Sequence, residues 1–236
     1  MRPAPPAQVI ADVARERNAD LIEMASHQRH GLNRWVNGSV TEEVLARTST
    51  PLLVVPAAAK EPRTSTVCVL VPTDGTTVGE APITFLVTQP RTRPLDVLLL
   101  SVISAGPLVV GTDPSFVAQP LGEAELEAHS RESAGYLLAV AESITTGCMS
   151  ARWQVVETSE PLANVILNAA RHEHVDLIAL GTHAKDGVRR LVLGSVSGEA
   201  LERSPVPVLL VHDHATRAHA ETEQYCMGSD AGAKRR

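Results

Sequence analysis

Three short segments of this sequence combine residue types that could bind a polar or phosphate-bearing ligand. They follow an apolar run or open a predicted helix: Pro72-Thr73-Asp74-Gly75, residues 181–187 (GTHAKDG), and Gly194-Ser195-Val196. An aspartate offers a hydrogen-bond acceptor, and a glycine at a strand end allows a ligand to approach the backbone closely. A helix N-terminus has free N–H groups and attracts anions, to which a serine hydroxyl can add a hydrogen bond.

The residues alone leave a structural explanation open for each segment. An Asp-Gly pair is typical of a plain turn, a glycine can be required by the turn itself, and Gly-Ser before a helix is typical of a cap. The charges of Lys185, Arg189 and Arg190 are typical of a solvated loop surface. His27 and His183 lie in loops at matching positions, where a structural role is favoured over contact with a phosphate.

Metal binding and covalent catalysis find little support in the sequence. His172-Glu173-His174 and His212-Asp213-His214 contain metal-ligand types, but no further Cys or His cluster complements them, so no metal site is expected. The sequence contains neither a Gly-x-Ser-x-Gly elbow nor a Gly-Lys-Ser/Thr phosphate loop. We therefore assign no catalytic residue and expect any turnover to be slow.

Alternating strands and helices must position the three segments. The predicted strands are apolar runs at 67–72, 95–103, 151–157, 175–180 and 206–211. The predicted helices cover 78–88, with Pro82 in its first turn, and 121–146, and two more begin near Ser159 and Gly194. Strands without apolar–polar alternation indicate a parallel sheet covered on both faces. Such sheets bind ligands beyond the carboxyl ends of the strands, where the strand order reverses.

An internal repeat defines the domain organisation. Residues 7–56 align with residues 163–212 without a gap, and 21 of the 50 positions are identical. The second copy follows a segment, 66–162, with its own predicted strands and helices, whereas six residues precede the first copy. We expect the back half of a truncated domain, a complete domain and a disordered tail, at 1–60, 64–213 and 214–236.

Composition excludes several classes of protein. The 236 residues carry a formal net charge of −6, which argues against a non-specific nucleic-acid binder. No run of about 18 uncharged apolar residues is present, so a membrane span is not expected. Apolar residues make up 44 %, with only two each of Trp, Tyr and Phe, so the core must be aliphatic. The three cysteines show no paired spacing, which favours a cytoplasmic protein without disulfides.

Together these motifs resemble the universal stress protein family. The family motif is a glycine, two residues, a second glycine, nine residues, and a glycine followed by serine or threonine. The chain has Gly181, Ala184 and Gly194-Ser195 at this spacing. Asp74 matches the aspartate that follows the family's first strand. The resemblance covers nearly all of both units.

The resemblance implies an α/β fold of the adenine-nucleotide alpha-hydrolase-like type, with a five-stranded parallel sheet in the order 3-2-1-4-5 and helices on both faces. Strands one and four are then neighbours, so Asp74 and Gly181 face one crevice. In family members that bind ATP, the aspartate and a residue after strand two hold the adenosine, and the glycine loop and Gly-Ser helix start hold the phosphates. The matching nucleotide-binding positions here are Pro72, Asp74, Val102, Leu180, Gly181, Ala184, Gly194, Ser195 and Val196.

Two departures from the family pattern bear on binding. Ala184 replaces the middle glycine, and a Cβ disfavours positive φ by about 1–2 kcal/mol, so binding is expected to be weakened rather than abolished. In the first copy Ala25 and Gln28 replace the two leading glycines, and only Gly38-Ser39 remains. We expect the first unit not to bind nucleotide.

The leading hypothesis is a stress-response regulatory protein that binds ATP, with Mg²⁺, or another adenine nucleotide in its complete unit. The alternative is a nucleotide-free dimerisation or interaction module, and a third hypothesis is a true ATPase. The family dimerises through its last strand, so the resemblance implies self-association of the two units through their last strands, in which Pro51–Val55 pairs with Val206–Val211 within this chain. The strand at 20–24 lacks its strand-one neighbour and is expected to present an open apolar edge.

Overall fold

The computed structural model describes residues 4–26, 40–62, 64–105, 122–182 and 194–213. The strands in these ranges are β1 (Ile22–Ser26), β2 (Leu52–Pro56), β3 (Val67–Pro72), β4 (Leu95–Ser104), β5 (Met149–Thr158), β6 (Leu177–Thr182) and β7 (Val208–His212). The helices are α1 (Pro6–Glu16), α2 (Val40–Leu45), α3 (Thr77–Thr88), α4 (Glu123–Ile144), α5 (Leu162–His172) and α6 (Ser195–Arg203).

All seven described strands form one sheet, in the order β1-β2-β7-β6-β3-β4-β5. Five neighbouring strands, β5-β4-β3-β6-β7, are parallel and have the predicted order 3-2-1-4-5, which confirms the fold class. The order reverses between β3 and β6, which are joined at Val69–Leu177 and Leu70–Ile178. The carboxyl ends of these two strands therefore flank the crevice in which this class of sheet binds ligands.

The two copies of the repeat are joined through their last strands. β2 pairs with β7 in the antiparallel direction, with Leu52 opposite Leu210 and Val54 opposite Val208. β1 then pairs with the other side of β2 and forms one edge of the sheet. The sheet thus has two strands more than the five expected, because the first copy of the repeat adds β1 and β2 to the same layer.

Apolar side chains alternate between two covered faces of the sheet. Leu70 and Leu98 point to the face covered by α1, α2, α5 and α6, whereas Val69 and Leu99 point to the face covered by α3 and α4. Every one of these four side chains is at most 2 % exposed. Burial on both faces explains why the strands are continuous apolar runs.

The position of Pro82 differs from the prediction. Thr76 is the N-cap of α3 and the helix begins at Thr77, so Pro82 is its sixth residue and lies beyond the first turn. Proline has no N–H, so it cannot donate the helical hydrogen bond to the carbonyl of Val78 four residues earlier. That carbonyl is part of the site described below.

Two other expectations concern the C-terminal tail and membrane-spanning helices. The tail at 214–236 lies outside the described residues, so its predicted disorder stays a prediction. Among the residues that are described, no helix has the length and apolar character needed to cross a bilayer.

Candidate functional site

A cavity of about 210 Å³ opens at the carboxyl ends of β3 and β6. Its walls come from the end of β3 and the start of α3, from β4, from β6, from the first two turns of α5 and from the first turn of α6. The lining residues are Pro72, Thr73, Asp74, Thr76, Val78, Gly79, Leu100, Val102, Leu162, Ile166, Leu180, Gly181, Val196 and Ser197. The structure thus brings six of the nine predicted site residues to one cavity: Pro72, Asp74, Val102, Leu180, Gly181 and Val196.

The remaining three predicted residues are not found in the cavity lining, for two different reasons. Gly194 and Ser195 form the start of α6 but are not among the residues that line the cavity. Gly194 is the N-cap and no side chain caps the helix, so Ser195 does not have the capping role open to it in sequence. Ala184 lies outside the described residues, as do His27, Gln28, Gly38, Ser39, His183, Lys185, Arg189 and Arg190.

Asp74 lies in a tight turn between β3 and α3. Its Oδ1 atom accepts hydrogen bonds from the backbone N–H of Thr76 at 3.1 Å and from the Thr76 hydroxyl at 2.6 Å. The Thr76 hydroxyl in turn accepts the N–H of Gly79 at 3.2 Å and caps α3. One oxygen of the carboxylate is therefore held by the turn, and the exposed side chain lines the cavity.

Gly181 is required by the approach of a helix. A Cβ atom on Gly181 would lie 1.8 Å from the carbonyl oxygen of Val78, far inside van der Waals contact. The space beside Gly181, which was expected to admit a ligand or a turn, is filled by the first turn of α3. Gly181 still lines the cavity, but its side-chain direction points at the helix.

Sequence reasoning missed several lining residues, above all those of α5. Leu162 and Ile166 belong to the first and second turns of that helix, and Ile166 is fully buried. Ser197 of α6 is 7 % exposed and shares its buried face with Ala200 and Leu201. The apolar spacing of these helices predicts that one face of each is buried, but it does not predict that the N-terminal end of that face borders a cavity.

Tyr136 of α4 and Glu80 of α3 form a hydrogen-bonded pair behind the turn that carries Asp74. The phenol donates to Oε1 of Glu80 at 2.7 Å. Burial is the main factor that raises the pKa of Tyr136 to about 12; the hydrogen bond with Thr73 opposes it, and the carboxylates of Glu80 and Asp74 add to it. The phenol is therefore protonated throughout the neutral range and acts there as a hydrogen-bond donor.

A second polar cluster lies at the opposite, amino ends of the strands. Arg152 contacts Asp96 at 3.2 Å, Glu173 at 2.5 Å and the sulfur of Cys68 at 3.5 Å. Burial is the main factor that raises the pKa of the Cys68 thiol, and the adjacent Arg152 opposes it. No group of three or more potential metal ligands occurs among the described residues.

Comparison with known proteins places the chain among relatives of one kind. The model of the Universal stress protein family matches residues 1–56 and 68–212. A curated relative, Universal stress protein MJ0531 of Methanocaldococcus jannaschii, is 37 % identical over 67 residues, which make up 27 % of this chain. The match spans 39 % of the length of that relative.

Solved structures show the same fold at low sequence identity. A universal stress protein from Archaeoglobus fulgidus aligns with a TM-score of 0.54 and 20 % identity over 90 % of this chain and 68 % of its own. A putative universal stress protein from Pseudomonas aeruginosa UCBPP-PA14 aligns with a TM-score of 0.60 and 13 % identity over 94 % of this chain and 73 % of its own. At these identities the likeness concerns the fold alone.

Proposed function

Because the chain belongs to the universal stress protein family, we propose that it is a regulatory protein that binds ATP or another adenine nucleotide in the cavity between β3 and β6. The observation that carries this proposal is the lining of one cavity by Asp74 and by the first turn of α6. Together they supply a carboxylate at one wall and a helix N-terminus at another. We place the protein in the cytoplasm as part of the same proposal.

The cavity suits an adenosine group better than a whole nucleotide. Its volume of about 210 Å³ lies below the range of about 300–1,000 Å³ that is usual for ligand pockets. The base would pack against the aliphatic side chains of Leu100, Val102 and Ile166, and a ribose hydroxyl would donate to Asp74. The phosphates, with Mg²⁺, would extend toward Gly194 and Ser195, where the N-terminus of α6 stabilises negative charge.

Calorimetric titration of the full chain with MgATP tests this assignment. We expect saturable binding in the millimolar range or below, and a loss of about tenfold or more in affinity for Asp74→Asn, because hydrogen bonds to a charged group contribute about 1.5–3 kcal/mol. Asp20→Asn is the matched control, since Asp20 is an exposed carboxylate outside the cavity lining. Absence of heat and of a thermal shift at millimolar ATP would refute nucleotide binding.

A second candidate function is a nucleotide-free interaction module, and the surface of α1 favours it. Val9 and Val13 are 47 % and 48 % exposed, whereas Val165, the repeat counterpart of Val9, is 8 % exposed. Both sides of β2 and of β7 are already paired within the chain, so a second chain would have to bind elsewhere, and α1 is the surface we propose.

Analytical ultracentrifugation with and without MgATP distinguishes the two functions. Stable self-association that is lost in Val9→Asp/Val13→Asp, together with no nucleotide binding, supports the interaction module. The matched control is Val87→Asp, because Val87 is 44 % exposed on α3.

A further inference from the structure

The turn that carries Asp74 rests against an aromatic ring on the side away from the cavity. Gly75 has φ +77°, and a Cβ atom built on it would lie 3.7–3.8 Å from three ring carbons of Tyr136. The ring therefore packs directly against this turn. Neither Gly75 nor Tyr136 is among the residues that line the cavity, so the tyrosine would act on a ligand through the residues it contacts, in the turn and at the start of α3.

The hydroxyl of Tyr136 connects both ends of the same turn to α4. It donates to Glu80 in the first turn of α3 and lies 3.4 Å from the hydroxyl of Thr73, the residue that follows β3. Thr73 in turn accepts the N–H of Gly75 at 3.3 Å. A single phenol thus bridges the residue before Asp74 and the helix after it.

We propose that Tyr136 is a positioning residue for the nucleotide site, which holds Asp74 in place by bracing the Thr73–Thr76 turn from α4. This inference rests on the proposed function, because it concerns the same cavity. Asp74 is exposed and bonded through Oδ1 to its own turn, so the direction of its carboxylate depends on where the turn is held.

The hydroxyl can be separated from the rest of the side chain. The ring of Tyr136 packs with the core cluster between the sheet and α3–α4, and phenylalanine retains this contact. Tyr136→Phe should therefore fold normally and lose only the two contacts of the oxygen. Glu80→Gln is the conservative partner variant, because a Gln amide oxygen can still accept from the phenol.

The first measurement needs no nucleotide. Amide hydrogen exchange by NMR should show Gly75 and Thr76 exchanging about three- to tenfold faster in Tyr136→Phe, as expected for the loss of one hydrogen bond. Core strands should keep their protection. Ser143→Ala is the matched control, because it removes from the same helix a hydroxyl that donates to the carbonyl of Val140 and not to the turn.

The second measurement is a double-mutant cycle on MgATP affinity. Tyr136→Phe should raise Kd about three- to tenfold in the wild-type background and change it little in the Asp74→Asn background, since the tyrosine acts through that carboxylate. A general loss of stability would weaken binding equally in both backgrounds. Glu80→Gln should retain near wild-type affinity.

The outcomes separate this inference from the proposed function. Unchanged exchange at Gly75 and Thr76, or equal effects on Kd in both backgrounds, overturns the positioning role. If Gly75 and Thr76 exchange faster in Tyr136→Phe but the wild type binds no MgATP, the bracing of the turn is supported. In that case only the proposed nucleotide binding is refuted.

Discussion

The carbonyl oxygen of Val78 occupies the position where a side chain on Gly181 would begin, 1.8 Å from the ideal Cβ site. The two residues come from α3 and β6, which meet at the reversal point of the sheet. The residue four positions later in the helix is Pro82, which has no N–H. This carbonyl oxygen therefore receives no helical hydrogen bond from that position. The contact brings the start of α3, with Asp74 just before it, against the edge of the cavity.

Gly181→Ala should destabilise the protein by about 1–3 kcal/mol, because the new methyl group forces α3 away from the sheet. The opposing atom is backbone, so no side-chain rotation relieves the overlap. Urea unfolding monitored by circular dichroism measures the change.

Gly135→Ala is the control for this substitution. Gly135 lies inside α4, and outside its own helix backbone no atom of the described residues lies within 4 Å of its ideal Cβ, so alanine should stabilise by about 0.5–1 kcal/mol. Equal stability of the two variants would contradict the close approach of α3 to β6.

Thr76→Ala should lower the free energy of unfolding by about 1 kcal/mol, because the threonine hydroxyl is the N-cap acceptor for Gly79. The same change removes the 2.6 Å hydrogen bond to Asp74, which then loses its hydroxyl partner. Thr76→Ser retains the hydroxyl and should stay within a few tenths of a kcal/mol of wild type by the same measurement. A serine variant as unstable as the alanine variant would show that the methyl group, not the cap, stabilises this turn.

Leu52 and Leu210 face each other across the antiparallel junction between the two copies, and both are fully buried. Each Leu→Ala change should cost about 2–5 kcal/mol. The double variant should show a coupling of about 0.5–3 kcal/mol, because the two side chains share one contact. Leu52→Ala combined with Leu98→Ala on β4, four strands away, should be additive in the same denaturant titrations. Additivity of the Leu52–Leu210 pair would contradict the observed register.

Cys68 should react slowly with iodoacetamide at neutral pH, because its raised pKa keeps the sulfur in the unreactive thiol form. Cys148 is exposed and should be alkylated about tenfold faster or more. Burial disfavours the charged thiolate, so Cys68 ionises at higher pH than an ordinary thiol, which is half ionised at about pH 8.5. The alkylation rate at Cys68 should therefore keep rising at pH values above about 8.5. Peptide mass spectrometry resolves the two sites, and equal rates at pH 7.5 would contradict the burial of Cys68.

The order of elements and part of the site could be predicted from local patterns. The run 67–72 and the strand β3 coincide, because a short apolar run closed by proline leaves few alternatives. Asp74 and Gly181 were expected in one crevice because the resemblance supplied the strand order, and both line the cavity. Pro82 was expected in the first turn of a helix over 78–88, but α3 begins one residue earlier, at Thr77, and Pro82 is its sixth residue.

By itself, the sequence determined the repeat, the alternation of strands and helices, and the candidate residues at the strand ends, because these follow from spacing along the chain. Only the tertiary structure decided that Ile166 walls the cavity, that Tyr136 braces the turn of Asp74, and that Gly181 makes room for a helix. These relationships join residues from different elements: Thr73 and Tyr136 are 63 positions apart, and Val78 and Gly181 are 103 positions apart. Such contacts depend on which helix packs over which strand, and that choice is made by the packing of the whole core rather than by any local pattern.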